Sequence, residues 1–337
     1  MLKFALNRLL FLLPTLIGAT LVAFFLIRLV PGDPVTNILG ERGGSPEMVA
    51  EIRARLGLDR SLPEQYLFFM KNAVMGDLGT SIVSQRPVQE EFWSRFPATV
   101  ELSLIALLWA VAIGIPLGIW AAVYRGKFID WSVVVISLVG YSMPIFWWGL
   151  LLIIFFSVKM GWLPVSGRLD LMYDLMPRTG FNLLDAWWSE QRVDVFLSAL
   201  KHLILPALVL GTVPLALICR MTRTCILEVL NEDYVRTARS KGVPTLRLYS
   251  KHVLKNALVP LVNMIGVLLG TLVTGAFLTE TLFSWPGVGR WLVKSIEARD
   301  YPVLQGGLIY LCLFVVLINF FVDLMCLYLN PKLRRGL

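Results

Sequence analysis

The side chains able to carry chemistry are sparse, and their spacing rules out more than it suggests. Gly126-Lys127 lacks both the upstream glycine and the following Ser or Thr of a GxxxxGK[ST] phosphate cradle. No HExxH or GxSxG occurs, and His202 and His252 are too few for a His-rich metal site. Cys219, Cys225, Cys312 and Cys326 form no CxxC pair, which argues against zinc and against a disulfide framework. No catalytic, cofactor-binding or metal-binding residue is therefore expected. What remains is charge. Arg236, Arg239, Lys241, Arg247, Lys251 and Lys255 crowd into residues 228–260, EVLNEDYVRTARSKGVPTLRLYSKHVLKNALVP, a polar island in an apolar chain.

Local pattern gives this island a shape. Gly242-Val243-Pro244 breaks it in the middle, and residues 231–241 read as a short helix before the break. After it, Thr245 is placed to cap a second helix beginning at Leu246, because its side-chain oxygen can accept a free first-turn N–H. Leu246, Tyr249, Val253, Leu254 and Ala257 recur at helical spacing on one side, and Arg247, Lys251 and Lys255 fall at i, i+4 and i+8 on another. The expectation is a helix–glycine turn–helix lying between two membrane spans.

The surrounding chain supplies the membrane. Its 337 residues are 57% apolar and only 16% charged, with a mean hydropathy of +0.71. Uncharged runs long enough to cross the hydrocarbon core occur at 9–27, 102–124, 131–158, 202–219, 256–279 and 301–322, which predicts six transmembrane helices. An even number puts both termini on one side, and Lys/Arg bias chooses it. With the termini inside, the inner segments hold 15 basic and 4 acidic residues, and everything else holds 16 basic and 19 acidic. The predicted topology is N-in, C-in, with the basic loop (220–256) in the cytoplasm. The net charge of +8 thus tracks topology rather than a nucleic-acid-binding domain. The first apolar run has no small-x-small cleavage site before Pro31-Gly32-Asp33-Pro34 and reads as a retained span.

Residues 1–8 form a possible amphipathic stub on the inner surface, and Asn330-Pro331 closes the last span before a tail carrying Lys332, Arg334 and Arg335. Outside, the segment 31–97 predicts one helix from Ser45-Pro46 to about Leu56 and a second near 63–75, with Tyr66, Phe69, Met70 and Ala73 on one side. This layer is either a packing cap or a partner-docking surface. The loop 159–201 is longer than a connection requires, and Trp162, Trp187 and Trp188 fit an interfacial belt. Gly114, Pro116 and Gly118 in the second span, and Gly140 and Pro144 in the third, suit helix packing or a bundle that reshapes. Trp147 and Trp148 are core or lipid contacts. Glu101 lies at the outer start of the second span, facing headgroups, and Asp323 lies one turn from Asn319, suited to helix–helix hydrogen bonding. Neither belongs to a proton-relay chain, and no filter-like loop or acidic ring marks a channel.

The polar island resembles the cytoplasmic EAA loop of ABC importer permeases. The family's Glu-Ala-Ala-xxx-Gly core falls on Arg236-Thr237-Ala238-xxx-Gly242, departing at its first two positions and at Lys255, where many members have Pro. The run from Asp233-Tyr234-Val235-Arg236 to Lys241-Gly242 is similar to the peptide-importer branch. So are Leu56-Gly57-Leu58-Asp59, Gly76-Asp77-Leu78-Gly79, the GWLPVSGR opening of the long outer loop, and the stretch from Glu280 to Arg290. The resemblance covers nearly the whole chain. It implies a single-domain, all-α integral membrane protein of type I ABC importer permease architecture in the bacterial inner membrane. The implied function is to translocate dipeptides or short peptides; nickel, glutathione and longer oligopeptides are alternatives. A second homologous permease, two ABC ATPases that hydrolyse the ATP, an extracytoplasmic peptide-binding protein and membrane lipid are the implied partners. Asp233, Tyr234, Arg236, Thr237, Ala238, Arg239, Lys241 and Gly242 would form the ATPase-coupling loop, with Gly242 supplying its turn. The competing class is a stand-alone secondary transporter or channel, in which the basic loop is only a topology signal.

Overall fold

The computed structural model describes residues 14–18, 20–25, 35, 45–55, 57–244 and 247–329. The stub at 1–8, the stop at Pro31-Gly32-Asp33-Pro34, Leu56, Thr245 with Leu246, Asn330-Pro331 and the tail with Lys332, Arg334 and Arg335 lie outside the described residues.

Two short helices open the described chain after the first apolar stretch: α1 (Pro46–Arg55) and α2 (Leu62–Val74), both close to expectation. Glu64 folds back on the start of α2 and accepts from the Ser61 N–H at 3.0 Å and the Ser61 hydroxyl at 2.8 Å, satisfying donors a helix start leaves free. Tyr66, Phe69, Met70 and Ala73 are half-buried, as their spacing demanded. Tyr66 and Phe69 pack on Phe24, with ring centroids 5.3 and 6.3 Å away, and the Tyr66 hydroxyl lies 3.0 Å from Thr20 Oγ1. The amphipathic helix is thus fastened to the first apolar helix rather than lying free on the surface.

The bundle follows. It comprises α3 (Val88–Val123), α4 (Phe128–Ser142), α5 (Ile145–Leu152, extended by a π turn Ile153–Lys159), α6 (Arg192–Leu230), the small helix α7 (Asp233–Ser240), and α8 (Leu254–Gly275). Then come α9 (Phe277–Leu282), α10 (Val288–Glu297) and α11 (Tyr301–Leu329). Among the described residues, α3, α6, α8 and α11 are long and apolar enough to cross a membrane, and α4 with α5 passes as a fifth, broken span. The first predicted span is described over 14–18 and 20–25, which are helical.

The third span, predicted over 131–158 with Gly140 and Pro144 inside it, is sharply broken: it bends by 103° between α4 and α5. Pro144 has no N–H to give the helix, and its ring drives the preceding residue out of helical backbone; Met143 is extended at φ −73°, ψ 130°. Helix α3 begins before its predicted span, α11 continues past its own and α6 exceeds its limits at both ends, because an uncharged run stops at the first charge whereas a helix does not. Helix α8 instead ends at Gly275, short of the predicted 279. At 39 residues, α6 is roughly 58 Å long against a hydrocarbon core of ~30 Å, so it projects from both sides.

Helices α3 and α6 pack along most of their length, and small residues let them do so. A Cβ on Gly118 would sit 2.6 Å from the Cys219 carbonyl oxygen and from Thr222 Cβ, and one on Gly211 would enter the Trp109 ring. Gly114 and Gly118 therefore serve packing. Around this crossing lies the main core, with Leu102, Ala106, Leu203, Leu210, Ile218 and Trp285 all buried. Trp148 donates to Thr212 Oγ1 at 3.2 Å, while Trp147 is exposed, so the neighbouring tryptophans divide between core and surface.

Candidate functional site

The basic island folds as a short helix carried on the end of a long one. Only Asn231 and Glu232 separate α6 from α7. On α7, Val235 is fully buried and Ala238 nearly so, packing with Ala122 of α3, Cys225 and Ile226 of α6, and Leu248, Val253 and Ala257 beyond the turn. The remaining expected site residues, Asp233, Tyr234, Arg236, Thr237, Arg239, Lys241 and Gly242, are exposed. Ala238 thus belongs to the mooring, and Asp233, Arg236, Thr237 and Arg239 to the free face. The Arg236–Asp233 ion pair, 3.7 Å long with both side chains largely in water, adds little. Asn256 of α8 donates to the Tyr234 hydroxyl at 2.7 Å, tying the outer edge of α7 to the next span.

The turn after α7 has a specific geometry. Gly242 has φ +74°, its N–H donates to the Arg239 carbonyl at 2.9 Å, and the Val243 N–H donates to the Ala238 carbonyl at 3.2 Å. This pair of bonds is a Schellman ending, which satisfies the last carbonyls of a helix through one left-handed residue. A Cβ at Gly242 would meet nothing within 4 Å, so backbone conformation, not crowding, calls for glycine.

Beyond the turn the second helix differs from expectation. It does not stand between two spans but runs straight into α8 through a π turn at Leu248–Val253. The wider turn brings residues five apart onto one face, so Leu248, absent from the predicted apolar face, is buried beside Val253. Tyr249 is half-buried, Ala257 fully buried, and Arg247 and Lys255 are exposed.

At the opposite end of the bundle sits a dense polar layer, most of it invisible to motif reading. Glu101 does not face headgroups. It is buried and pairs with Arg168 at 2.5 Å, while accepting the Leu183 N–H at 2.9 Å. Arg168 also donates to the Gly180 carbonyl at 2.7 Å and stacks its guanidinium 5.6 Å from the Trp285 ring centroid. The loop is further held by Asp185, which accepts from the Thr179 hydroxyl and from the N–H groups of Arg178, Thr179 and Gly180. Burial pushes the Asp185 carboxyl up, but these bonds outweigh it and hold it below the usual carboxylate range. Trp162, Trp187 and Trp188 remain exposed, as an interfacial belt requires.

The Glu280-to-Arg290 stretch closes the same layer. Glu280 is fully buried and accepts from Thr99 Oγ1 at 2.6 Å and from the Arg290 N–H at 2.8 Å, placing a carboxylate at the N-terminus of α10. Burial pushes its carboxyl up, against the pull of those bonds. A Cβ on Gly287 would collide with this carboxylate, which accounts for one glycine of the motif. Trp285, fully buried, donates to the Ala98 carbonyl at 2.9 Å. Arg168 and Glu280 stand at the edges of stretches already singled out by resemblance, whereas Glu101 was marked only as a charge bordering an apolar run.

A membrane-embedded helical bundle that keeps one end locked and presents a basic helix at the other has the form of a transport-system membrane component. Residues 114–335 match the family described as the binding-protein-dependent transport system inner membrane component, and residues 1–103 match the N-terminal part of such components. The chain belongs to this family and is a multi-pass inner-membrane permease. It is 53% identical over 335 residues to the di/tripeptide transport system permease of Pseudomonas aeruginosa, covering 99% of each chain. It is 51% identical over 339 residues to the dipeptide transport system permease of Escherichia coli, again covering 99% of each. The glutathione transport system permease of Escherichia coli is 40% identical over 334 residues, 99% of each. Among solved structures, a chain of the MetNI methionine ABC transporter in an inward-facing conformation shares the fold, with a TM-score of 0.52 and 20% identity over 69% of this chain and 93% of that one.

Proposed function

We propose that this permease forms the membrane path of an ATP-driven importer of dipeptides and short peptides. The observation that carries the substrate class is end-to-end identity above one half to permeases named for di/tripeptide and dipeptide transport. In this reading the chain has six spans with both termini in the cytoplasm. It pairs with a second homologous permease above two ABC ATPases, and an extracytoplasmic peptide-binding protein docks on the loops 159–201 and 281–300 to deliver solute. The ATPases hydrolyse ATP; this chain does not. The segment 220–256 is the cytoplasmic coupling loop, and α7 seats in a cleft of an ATPase. The geometry favours α7 for this role because its free face is charged, its buried face is only Val235 and Ala238, and its end is fixed by one glycine turn. A rigid short lever held at one edge transmits displacement to the helix it hangs from. Membership of a binding-protein-dependent family weighs against a stand-alone transporter or channel. The glutathione permease relative keeps glutathione as the second substrate to test.

Two measurements in one strain test this. Uptake of labelled dipeptide is followed in cells lacking the gene, with and without its restoration, with tripeptide, glutathione and nickel as competitors. Restoration that dipeptides compete best supports the substrate; uptake independent of the gene overturns it. Restoring the gene as Gly242→Pro, which removes an N–H and cannot reach φ +74°, is expected to abolish uptake with the protein still in the membrane. Normal uptake by that variant removes the coupling assignment.

A further inference from the structure

A charged contact joins the start of the broken span α4–α5 to α6, the helix that carries α7. Arg223 of α6 grips Asp130 in the first turn of α4 with two bonds, Nε to Oδ1 at 2.6 Å and Nη2 to Oδ2 at 2.8 Å. Asp130 is buried, and its Oδ2 also accepts the Gly126 N–H at 2.9 Å, which draws the α3–α4 turn into the same cluster. Arg223 precedes Cys225 and Ile226, the α6 residues on which Val235 and Ala238 of α7 rest, by two and three positions on the same helix. The hydrogen-bonded backbone of α6 therefore links the mooring of α7 to the start of α4.

The remainder of the α4–α6 contact is uneven. At the outer end of α4 a Cβ on Gly140 would come within 3.1 Å of Thr212 Cγ2, and Thr212 also receives the Trp148 N–H from α5. Between these two fixed points lies a cavity of about 170 Å³, lined by Val133, Val134 and Ser137 of α4 and by Ala216, Cys219 and Arg220 of α6. Helix α4 is therefore held to α6 by the charged pair at its start and by the close approach at Gly140, with the cavity and a Ser137–Cys219 hydrogen bond between them, and it meets α5 at a 103° break. An apolar contact across such a gap transmits little, since dispersion falls steeply with separation. A bidentate guanidinium–carboxylate pair resists both separation and rotation, and leaving either charge unpaired in a buried setting is costly.

We propose that the Asp130–Arg223 pair is a positioning strut that carries movement of α7, through α6, into the broken span α4–α5. This rests on the reading of α7 as the coupling helix. Removing the strut leaves α7 free to follow the ATPase while α4 no longer follows α6.

The test uses the complete transporter, with both permeases, the ATPases and the binding protein, reconstituted in vesicles. Peptide uptake and ATP hydrolysis are measured in the same vesicles. For Asp130→Asn and Arg223→Gln, uptake per ATP is expected to fall by roughly tenfold with hydrolysis and assembly retained. Arg223→Lys, which keeps the charge but loses the fork, is expected to fall between these and the unmodified protein. Gly242→Pro is run alongside. An unchanged ratio in the strut variants, with Gly242→Pro uncoupled, overturns the strut and leaves the α7 reading standing. An unchanged ratio in Gly242→Pro overturns both. Where Asp130→Asn and Arg223→Gln fail to assemble, Arg223→Lys decides: a reduced ratio supports the strut, and an unmodified ratio overturns it.

Discussion

The two ends of this bundle are built on opposite principles. On one side, Glu101, Arg168, Asp185 and Glu280 are drawn into an interlocked layer in which each charge is buried or nearly so and each has several partners. On the other, α7 presents Arg236, Arg239 and Lys241 to water and is held by two small apolar residues, one hydroxyl contact and a glycine turn. Buried, fully bonded polar groups resist local opening, whereas elements with few buried contacts open at low cost. On the proposed reading of α7 as the coupling helix, movement would enter at α7 while the interlocked layer at the opposite end keeps its shape.

The contrast breaks most visibly at Arg168. Arg168→Ala strands a Glu101 carboxylate in the core, and a loss of about 3–5 kcal/mol in unfolding free energy is expected. Detergent-solubilised protein followed by tryptophan fluorescence on heating would report it, and a shift no larger than that of an exposed-site control would show that this pair does not hold the layer. A smaller effect is expected from acid. The Asp185 carboxyl is depressed in the folded protein, so its contribution is complete above the unfolded carboxylate value of about 3.9 and is lost as pH falls through the lower folded value. Exposure of Trp187 and Trp188 to an aqueous quencher should therefore stay constant from neutral pH to about 4 and rise below it; a rise centred near neutral pH would point to another group. The smallest stability change belongs to α7. Reversing Arg239 and Lys241 to Glu should alter unfolding by no more than about 0.5 kcal/mol, because both side chains are exposed. The same reversal should uncouple uptake. A large thermal shift would mean that α7 is part of the rigid body and would erase the contrast.

Much of the candidate site could be read directly from residue types. Gly242 announced a left-handed turn because few other residues reach that backbone freely, and the apolar spacing of Val253 and Ala257 announced their buried face. Tyr66 and Phe69 on α2 were legible for the same reason. The π turn was not, since a helix widened by one residue leaves no composition signal, and Leu248 was missed with it. The break at Pro144 was visible as a proline but not as a bend of 103°, because neighbouring membrane helices decide whether a proline is absorbed or turns the chain. Pro116, Pro206 and Pro214 lie inside helices that continue unbroken.

By itself the sequence determined that this chain lives in a membrane, that its apolar runs are helices, and that its one basic, glycine-broken island stands apart from them. Those properties follow from length, hydropathy and local backbone preference, which neighbours in sequence supply. Only the tertiary structure decided which polar and charged groups meet. Glu101 and Arg168 are 67 positions apart, Asp130 and Arg223 are 93 apart, and Thr99 and Glu280 are 181 apart. In a medium that punishes every unpaired charge, partners must be found across the bundle, and the helix packing that brings them together is not written in either partner's own neighbourhood.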